Sequence, residues 1–496
     1  MKKLGLIFII MLAILTESFA QLADDALRYS QVFYTGTARF MSMGGAFTAL
    51  GGDISALSQN PAGLGVFRSS EISISPQLFH IKTTAGLNGF NTSDYIYNFN
   101  LAQAGIVANI IDNNSESGLI SLNFGYSFNK TNNLNQSIII DGISDFSSMA
   151  DLWADNAEGL YKDELIDQAQ DSYLAWETWI IDTLPGSYTS YGTVFSNYGD
   201  NPPSVYGQNI RRLVTYEGYT GEHALSVGGN LSNRLFFGAT FGISHLSYSS
   251  QYEHLEVTDA ILPSEFKNFN YTFHYSNNGT GYGLKIGAIY KPVDIVRIGF
   301  AFHSPTLYRI NEYVDDNVTS KFTDGGKYNI SNNPVRYNYA LTTPFRAIIG
   351  AAVQLKKLAL VSLDYEFVDY STAKFSETGD GYNYSDKNAE IKNTLKSTVN
   401  LRLGAELRLN SLYLRGGYGY YGKVWENDDL NGNLDYNSFS FGAGFREQNV
   451  FIDFSFTAMM NPHKYVLYSS TVEDLISDMS INRNMYTVTF GYKFGY

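Results

Sequence analysis

The sequence predicts an all-β fold, a transmembrane antiparallel β-barrel of about 14 strands whose N-terminal segment forms a hatch, or plug, inside the lumen. Three observations predict it. The N-terminus reads as an export signal, no later stretch is apolar and long enough to cross a bilayer as a helix, and most of the remaining chain alternates apolar and polar residues two by two.

Lys2 and Lys3 precede an apolar run from Leu4 to Leu15, followed by small residues at Ser18 and Ala20. That run is too short to span a membrane and has the charge, apolar core and small-residue site of a cleaved signal peptide, so residues 1–20 are assigned to it and the mature chain to Gln21 onward. A spanning helix needs about 18 uninterrupted apolar residues; none follows, and a closed barrel is the remaining way to satisfy every backbone polar group in lipid. Expected location is the outer membrane of a Gram-negative bacterium.

Composition agrees. Tyr (38), Phe (33) and Gly (45) are abundant, as aromatic belts and bending strands require. There is no Cys, which excludes disulfides and a Cys nucleophile, and the net charge of −14 argues against nucleic acid as a partner. Mean hydropathy is only −0.16, because a barrel strand shows lipid one residue in two.

Alternation is clearest at the C-terminus, where Tyr486, Val488, Phe490, Tyr492, Phe494 and Tyr496 interleave with Thr487, Thr489, Gly491, Lys493 and Gly495. A terminal aromatic after such a strand fits recognition by the barrel-assembly machinery during biogenesis. Similar runs occur at Glu71 to Lys82, Leu235 to Ser250, Gly281 to Tyr290, Val296 to His303, Phe345 to Leu355, Leu358 to Phe367, Leu401 to Arg408 and Val450 to Thr457. Short turns such as Ser232-Asn233-Arg234, Asn410-Ser411 and Glu447-Gln448-Asn449 alternate with long polar loops, as in an up-and-down barrel with turns on the periplasmic side and loops outside. Residues 68–496 are therefore assigned to the barrel.

Two segments stand apart. Residues 21–67 are Gly-rich and mildly apolar, with Gly44, Gly45 and Gly51-Gly52, and Asp53 is placed to cap a short helix over Ile54 to Ser58. Residues 131–220 form the longest loop, in which Met149, Leu152, Trp153, Leu160, Tyr173, Trp176 and Ile180 fall at roughly helical spacing.

The run from Arg39 to Leu50, with Met43-Gly44-Gly45-Ala46, then Asp53 to Leu57 and Asn60-Pro61-Ala62-Gly63-Leu64, resembles the hatch of the FadL family, outer-membrane transport proteins for long-chain fatty acids and hydrocarbons. Weaker echoes stand at His303-Ser304-Pro305-Thr306, Thr343-Pro344-Phe345-Arg346 and Leu403-Gly404-Ala405-Glu406. The resemblance implies a 14-stranded barrel closed by its hatch, an outer hydrophobic groove, an inner binding site and lateral exit through a break in the wall. It implies gating by Gly44, Gly45, Asp53, Asn60, Pro61 and Ala62.

Candidate ligand contacts are Trp153, Trp176 and Trp179 on the loop, against the alternative that they pack its helices together. By strand parity Lys285, Arg297, Arg346, Arg402, Arg408 and Arg415 face the lumen with Asp364, Glu366, Glu406 and Asp453. Arg297, Arg346, Arg402 or Arg415 would suit a fatty-acid carboxylate, and the competing reading is that these charges pair with each other or hold the hatch through Arg39 or Asp53. The expected function is passive transport of a hydrophobic small molecule, first a long-chain fatty acid, by a monomer in contact with outer-membrane lipid. Alternatives are aromatic-hydrocarbon uptake, haem uptake through His245, His254 or His303, or a surface adhesin. No metal, cofactor or catalytic motif is expected.

Overall fold

The computed structural model describes residues 20–112, 117–199, 204–356, 358–379 and 381–495. Residues 1–19, which hold most of the expected export signal, lie outside these, as do Lys357 and the terminal Tyr496.

Fourteen antiparallel staves close into one barrel. They are β1 (Ser70–Leu87), β2 (Phe90–Asp112), β3 (Leu119–Asn133, continued by Gln136–Ser144), β4 (Gln208–Leu231), β5 (Leu235–Val257), β6 (Phe266–Val293) and β7 (Val296–His303, continued by Leu307–Phe322). Then come β8 (Val335–Thr342, continued by Arg346–Leu355), β9 (Ala359–Asp369, continued by Lys374–Glu377), β10 (Ser397–Leu409), β11 (Leu412–Tyr421), β12 (Tyr436–Glu447), β13 (Val450–Tyr468) and β14 (Leu475–Phe494). Each stave pairs with the next, and β1 closes on β14 from Ser70↔Phe494 to Gly86↔Asp478.

Parity sets the two faces. Along β10, Leu401, Leu403 and Leu407 are exposed on the outside, where lipid would cover them, while Arg402 and Glu406 are buried on the inside. Tight turns close one rim: Ser232, Asn233, Asn410 and Gln448 all take positive φ, the left-handed geometry that short hairpins need. The other rim is built up by long staves. β6 runs for 28 residues, far beyond the ~9–11 that cross a bilayer, so the wall continues above the lipid. For the same reason the outer excursion is shorter than the expected 131–220: β3 and β4 continue to Ser144 and from Gln208. Between them lie helices Met149–Ala157, Leu165–Gln168 and Gln170–Glu177 and a small hairpin, Ile181–Thr183 with Tyr191–Thr193. Among the described residues no helix is long and apolar enough to cross a membrane.

Candidate functional site: the hatch, its wall and the cavity above it

The segment before β1 is folded by side-chain caps. Thr37 caps the helix Ala38–Ser42, Asp53 caps a 3₁₀ turn over Ile54–Ser58, and Asn60 caps another over Pro61–Val66 with Pro61 in its first turn. Asp53 also accepts from the Thr37 hydroxyl at 2.8 and 2.9 Å, joining the first cap to the second. Gly44 and Gly45 have φ of +63° and +72° and reverse the chain after the first helix. Asn60 donates to the Thr48 carbonyl at 2.6 Å and accepts from Ala62 N at 3.0 Å. Asn60, Pro61 and Ala62 are buried, in keeping with a segment enclosed by the barrel.

Charged wall residues hold this hatch. Glu406 of β10 accepts from Arg39 of the hatch (3.0 Å), from Arg408 (2.8 Å) and from Arg415 of β11 (2.8 Å), and Arg415 continues to Asp453 of β13. Higher up, Glu366 joins Arg346 (2.8 Å) and Arg402 (2.7 Å), and Arg346 donates to the Ser30 carbonyl. Asp364 receives Thr48 through N (3.0 Å) and Oγ1 (2.8 Å), Arg297 donates to Leu50 O (2.8 Å), and Lys285 to Ser58 O (2.8 Å). His303 meets Gln59 O at 2.7 Å. All ten charged residues that parity turned inward lie on the inner face, and Arg297, Arg346, Arg402 and Arg415 are spent on carboxylates or hatch carbonyls. None of the four lines the cavity described below.

The wall meets the hatch with glycines. On neighbouring staves, Gly228, Gly238 and Gly287 stand side by side in register against Asn60 to Leu64, and Gly404 and Gly417 form a paired rung against Met43 and Gly44. A Cβ on Gly238 would lie 2.3 Å from Pro61 O, and one on Gly417 2.2 Å from Gly44 N. Main chain thus touches main chain, which only glycine permits.

On the opposite side of the lumen, β1–β3 with β13 and β14 contribute Ser73, Ser75, Gln77, Gln103, Ser127, Thr457, Thr487 and Thr489, neutral residues; Ser75 bonds Gln103 and Thr489, Gln77 bonds Thr487, and Thr489 takes the hatch through Ala38 N. Here a cavity of about 50 Å³ lies above the hatch, with Phe33, Tyr34, Met41, Phe79, Tyr421, Met459 and Met485 as its apolar lining and Asn132, Asn133 and Arg483 among its polar groups. By the measure in which one water needs about 10–15 Å³, it offers room for a ring or a few methylenes.

Beside this cavity the wall is unzipped. β2 ladders with β3 only between Gln103↔Asn129 and Asp112↔Ser121; β3 kinks at Leu134-Asn135 and stays paired with β4 throughout, and its outer half meets β2 again through side chains, Thr92 Oγ1 to Ile139 O and Ser137 to Asp94. Among the described residues, no ladder bond joins 95–101 of β2 to β3. Tyr95, Tyr97 and Phe99 on this stretch are among the most exposed aromatic side chains, Phe99 at 76%. The edge of β3 that faces this gap is taken by the hatch arm: Phe33 N donates to Thr131 O (2.8 Å), and Thr35 reaches Lys130 O through N (3.3 Å) and Oγ1 (2.6 Å).

The outer excursion is packed onto the rim. Trp153 is fully buried against Phe269 and Tyr271, Trp176 is half-buried beneath the Lys162 ammonium, and Trp179 is half exposed beside Tyr328. His254 is buried between Arg212 and Glu256, and His245 lies against Tyr219. Among the described residues no group of three or more His, Cys, Asp or Glu is placed to hold a metal ion.

Asp151, in the first turn of the helix Met149–Ala157, accepts from Ser148 N (2.7 Å) and Tyr206. Burial pushes its carboxyl up to about 7, with Glu256 adding to the push and the Ser148 hydrogen bond opposing it. A carboxyl raised on folding favours the docked helix most at low pH; that advantage is lost between about pH 4 and 7 and is flat above. Hydrogen exchange of the 149–157 amides, normalised for intrinsic rate, is expected to be faster at pH 8 than at pH 5, and Asp151→Asn to flatten the difference.

A plugged barrel with a lipid-facing exterior defines an outer-membrane protein. A family profile described as outer membrane protein transport protein (OMPP1/FadL/TodX) matches residues 222–496, and the chain belongs to that family. The matched span begins within β4, so the hatch lies outside it. No curated protein matches. Among solved structures, a Pseudomonas aeruginosa FadL homologue superposes with a TM-score of 0.55 at 13% identity over 94% of this chain and 100% of that one. The Pseudomonas putida toluene transporter TodX gives 0.52 at 13% identity over 93% and 99%. At this identity the likeness is one of fold. The protein is thus an outer-membrane β-barrel of a transport family for hydrophobic compounds.

Proposed function

We propose that the chain is a passive conduit that receives hydrophobic small molecules at its outer rim, holds them in the cavity above the hatch and releases them sideways into the membrane between β2 and β3. Long-chain fatty acids are the ligand class assigned first. The observation that carries the reading is the meeting of cavity and gap: Asn132 and Asn133 line the one where the β2–β3 ladder ends to make the other, and the arm Phe33–Thr35 covers the edge of β3. Withdrawal of that arm would join the two. Its few bonds are weaker than the charged anchors across the lumen, so the neutral side is the side that moves. A downhill partition of the ligand into lipid supplies the driving force.

A second reading, uptake of single-ring aromatics, is favoured by the size of the cavity, which in this closed state takes a ring but not a whole acyl chain.

The test is uptake of radiolabelled oleate and toluene by cells lacking their own transporter, with folding checked by heat-modifiable mobility. Uptake is expected to depend on the protein and to fall in Asn60→Ala, which removes a cap and the tie to Thr48. Deleting Leu134 and Asn135 keeps the faces of β3 in phase and straightens it toward β2; a loss of at least fivefold is expected. Folded protein that carries neither ligand would overturn the proposal.

A further inference from the structure

Three of the polar groups that face the cavity present unanswered donors. Arg483 of β14 has no hydrogen bond or ion pair among the described residues, although the other inward arginines are all committed. Asn133 is buried with its Nδ2 unpartnered, and its Oδ1 is already taken by Asn135 N (3.0 Å) and Nδ2 (2.8 Å), so the amide presents its donor. The buried Tyr34 hydroxyl is also unpartnered, with the Arg402 guanidinium 5.0 Å from its ring centre. No Asp or Glu lines the cavity.

We infer that the cavity is an anion clasp in an apolar chamber: Arg483 binds the carboxylate of the ligand, Asn133 and Tyr34 donate to it, and Met459, Met485 and Phe79 receive its apolar body. A free cation and two unpaired donors in an acid-free apolar space cost stability unless a ligand answers them. A neutral hydrocarbon leaves all three unanswered; an acid answers them, and a guanidinium can do so with two parallel bonds. The occupant of the closed state is therefore a compact apolar monocarboxylate, an aryl or short-chain acid, and a longer acid enters head first. This rests on the conduit reading for how the ligand arrives, not for how it is held.

The experiment is binding to the purified full-length protein in nanodiscs, by titration calorimetry, with 3-phenylpropionate and propylbenzene as a matched acid and neutral pair. The acid is expected to bind at least tenfold tighter. Arg483→Gln should weaken the acid at least tenfold and the neutral ligand less than twofold, Arg483→Lys should restore part of the loss, and Lys321→Gln, exposed at the outer end of β7, should change neither. Met459→Trp should exclude both. Equal affinities, or an Arg483→Gln effect that is the same on both ligands, would overturn the clasp. Acid binding with no protein-dependent uptake would leave the clasp standing and remove the conduit.

Discussion

Glu406→Ala is expected to release the hatch from β10 and β11 and to cost about 3–5 kcal/mol, because it leaves Arg39 and Arg415 buried without their shared carboxylate. Two cations brought in from opposite partners, one on the hatch and one on the wall, would then repel across the space that Glu406 now fills. The loss should fall on the hatch rather than on the barrel, whose ladders are untouched. Hydrogen exchange over 38–60 should rise while the staves stay protected, and cells should become sensitive to bulky antibiotics that the closed lumen excludes. Replacing the whole network, in Glu406→Leu with Arg39→Met, Arg415→Met and Asp453→Leu, should recover part of the stability, since a buried network replaced by apolar groups is far less costly than one half removed. Exchange unchanged in Glu406→Ala would show that the network does not hold the hatch.

Gly238→Val tests the other fastening and is expected to have a comparable effect by an opposite cause. A Cβ there would stand 2.3 Å from Pro61 O and 2.4 Å from Pro61 C, main-chain atoms that cannot swing aside. Val suits a strand, so β5 should form and the barrel should keep its folded mobility. The Asn60-Pro61-Ala62 turn must then leave its seat, exposing 59–64 to protease. Gly416→Ala is the control, since the nearest atom to its Cβ would be 3.9 Å away and no change is expected. A hatch as protease-resistant in Gly238→Val as in the parent would mean that the wall, not the hatch, yields.

The staves were legible wherever lipid and lumen impose opposite demands on alternate residues. Leu401 to Arg408 announces both faces, and the stave count follows from turns at Asn233, Asn410 and Gln448. The cap at Asp53 was legible too, because an acid before a small helix has few other uses, whereas Asn60-Pro61-Ala62 suggests only a turn and its capped 3₁₀ helix was not. Arg483 was not. It stands in Asn482-Arg483-Asn484, where β14 rises out of lipid and polar residues occupy both faces, so alternation vanishes. Counting back in twos from the inward Thr487 through Met485 would have found it. The kink at Leu134-Asn135 was hidden by the same loss of contrast: Asn132, Asn133 and Asn135 read as loop, yet they belong to a wall already above the apolar band. Trp153 and Trp179 look alike in sequence and differ in burial because only tertiary packing distinguishes a helix seam from a helix end.

The glycine contacts also bear on the order in which this molecule can be made. Where main chain rests on main chain around much of the circumference, nothing of the hatch's bulk can be threaded through a finished cylinder, and it is tethered to β1 by only three residues, Phe67, Arg68 and Ser69. The hatch must therefore be in place before β1 and β14 zip together. It then acts as a mandrel around which the sheet curls, with its arginine and carbonyl ties choosing the curvature. A barrel made from 68–496 alone would have to close over inward cations whose partners never arrive, and the seam between first and last stave is where that debt would show.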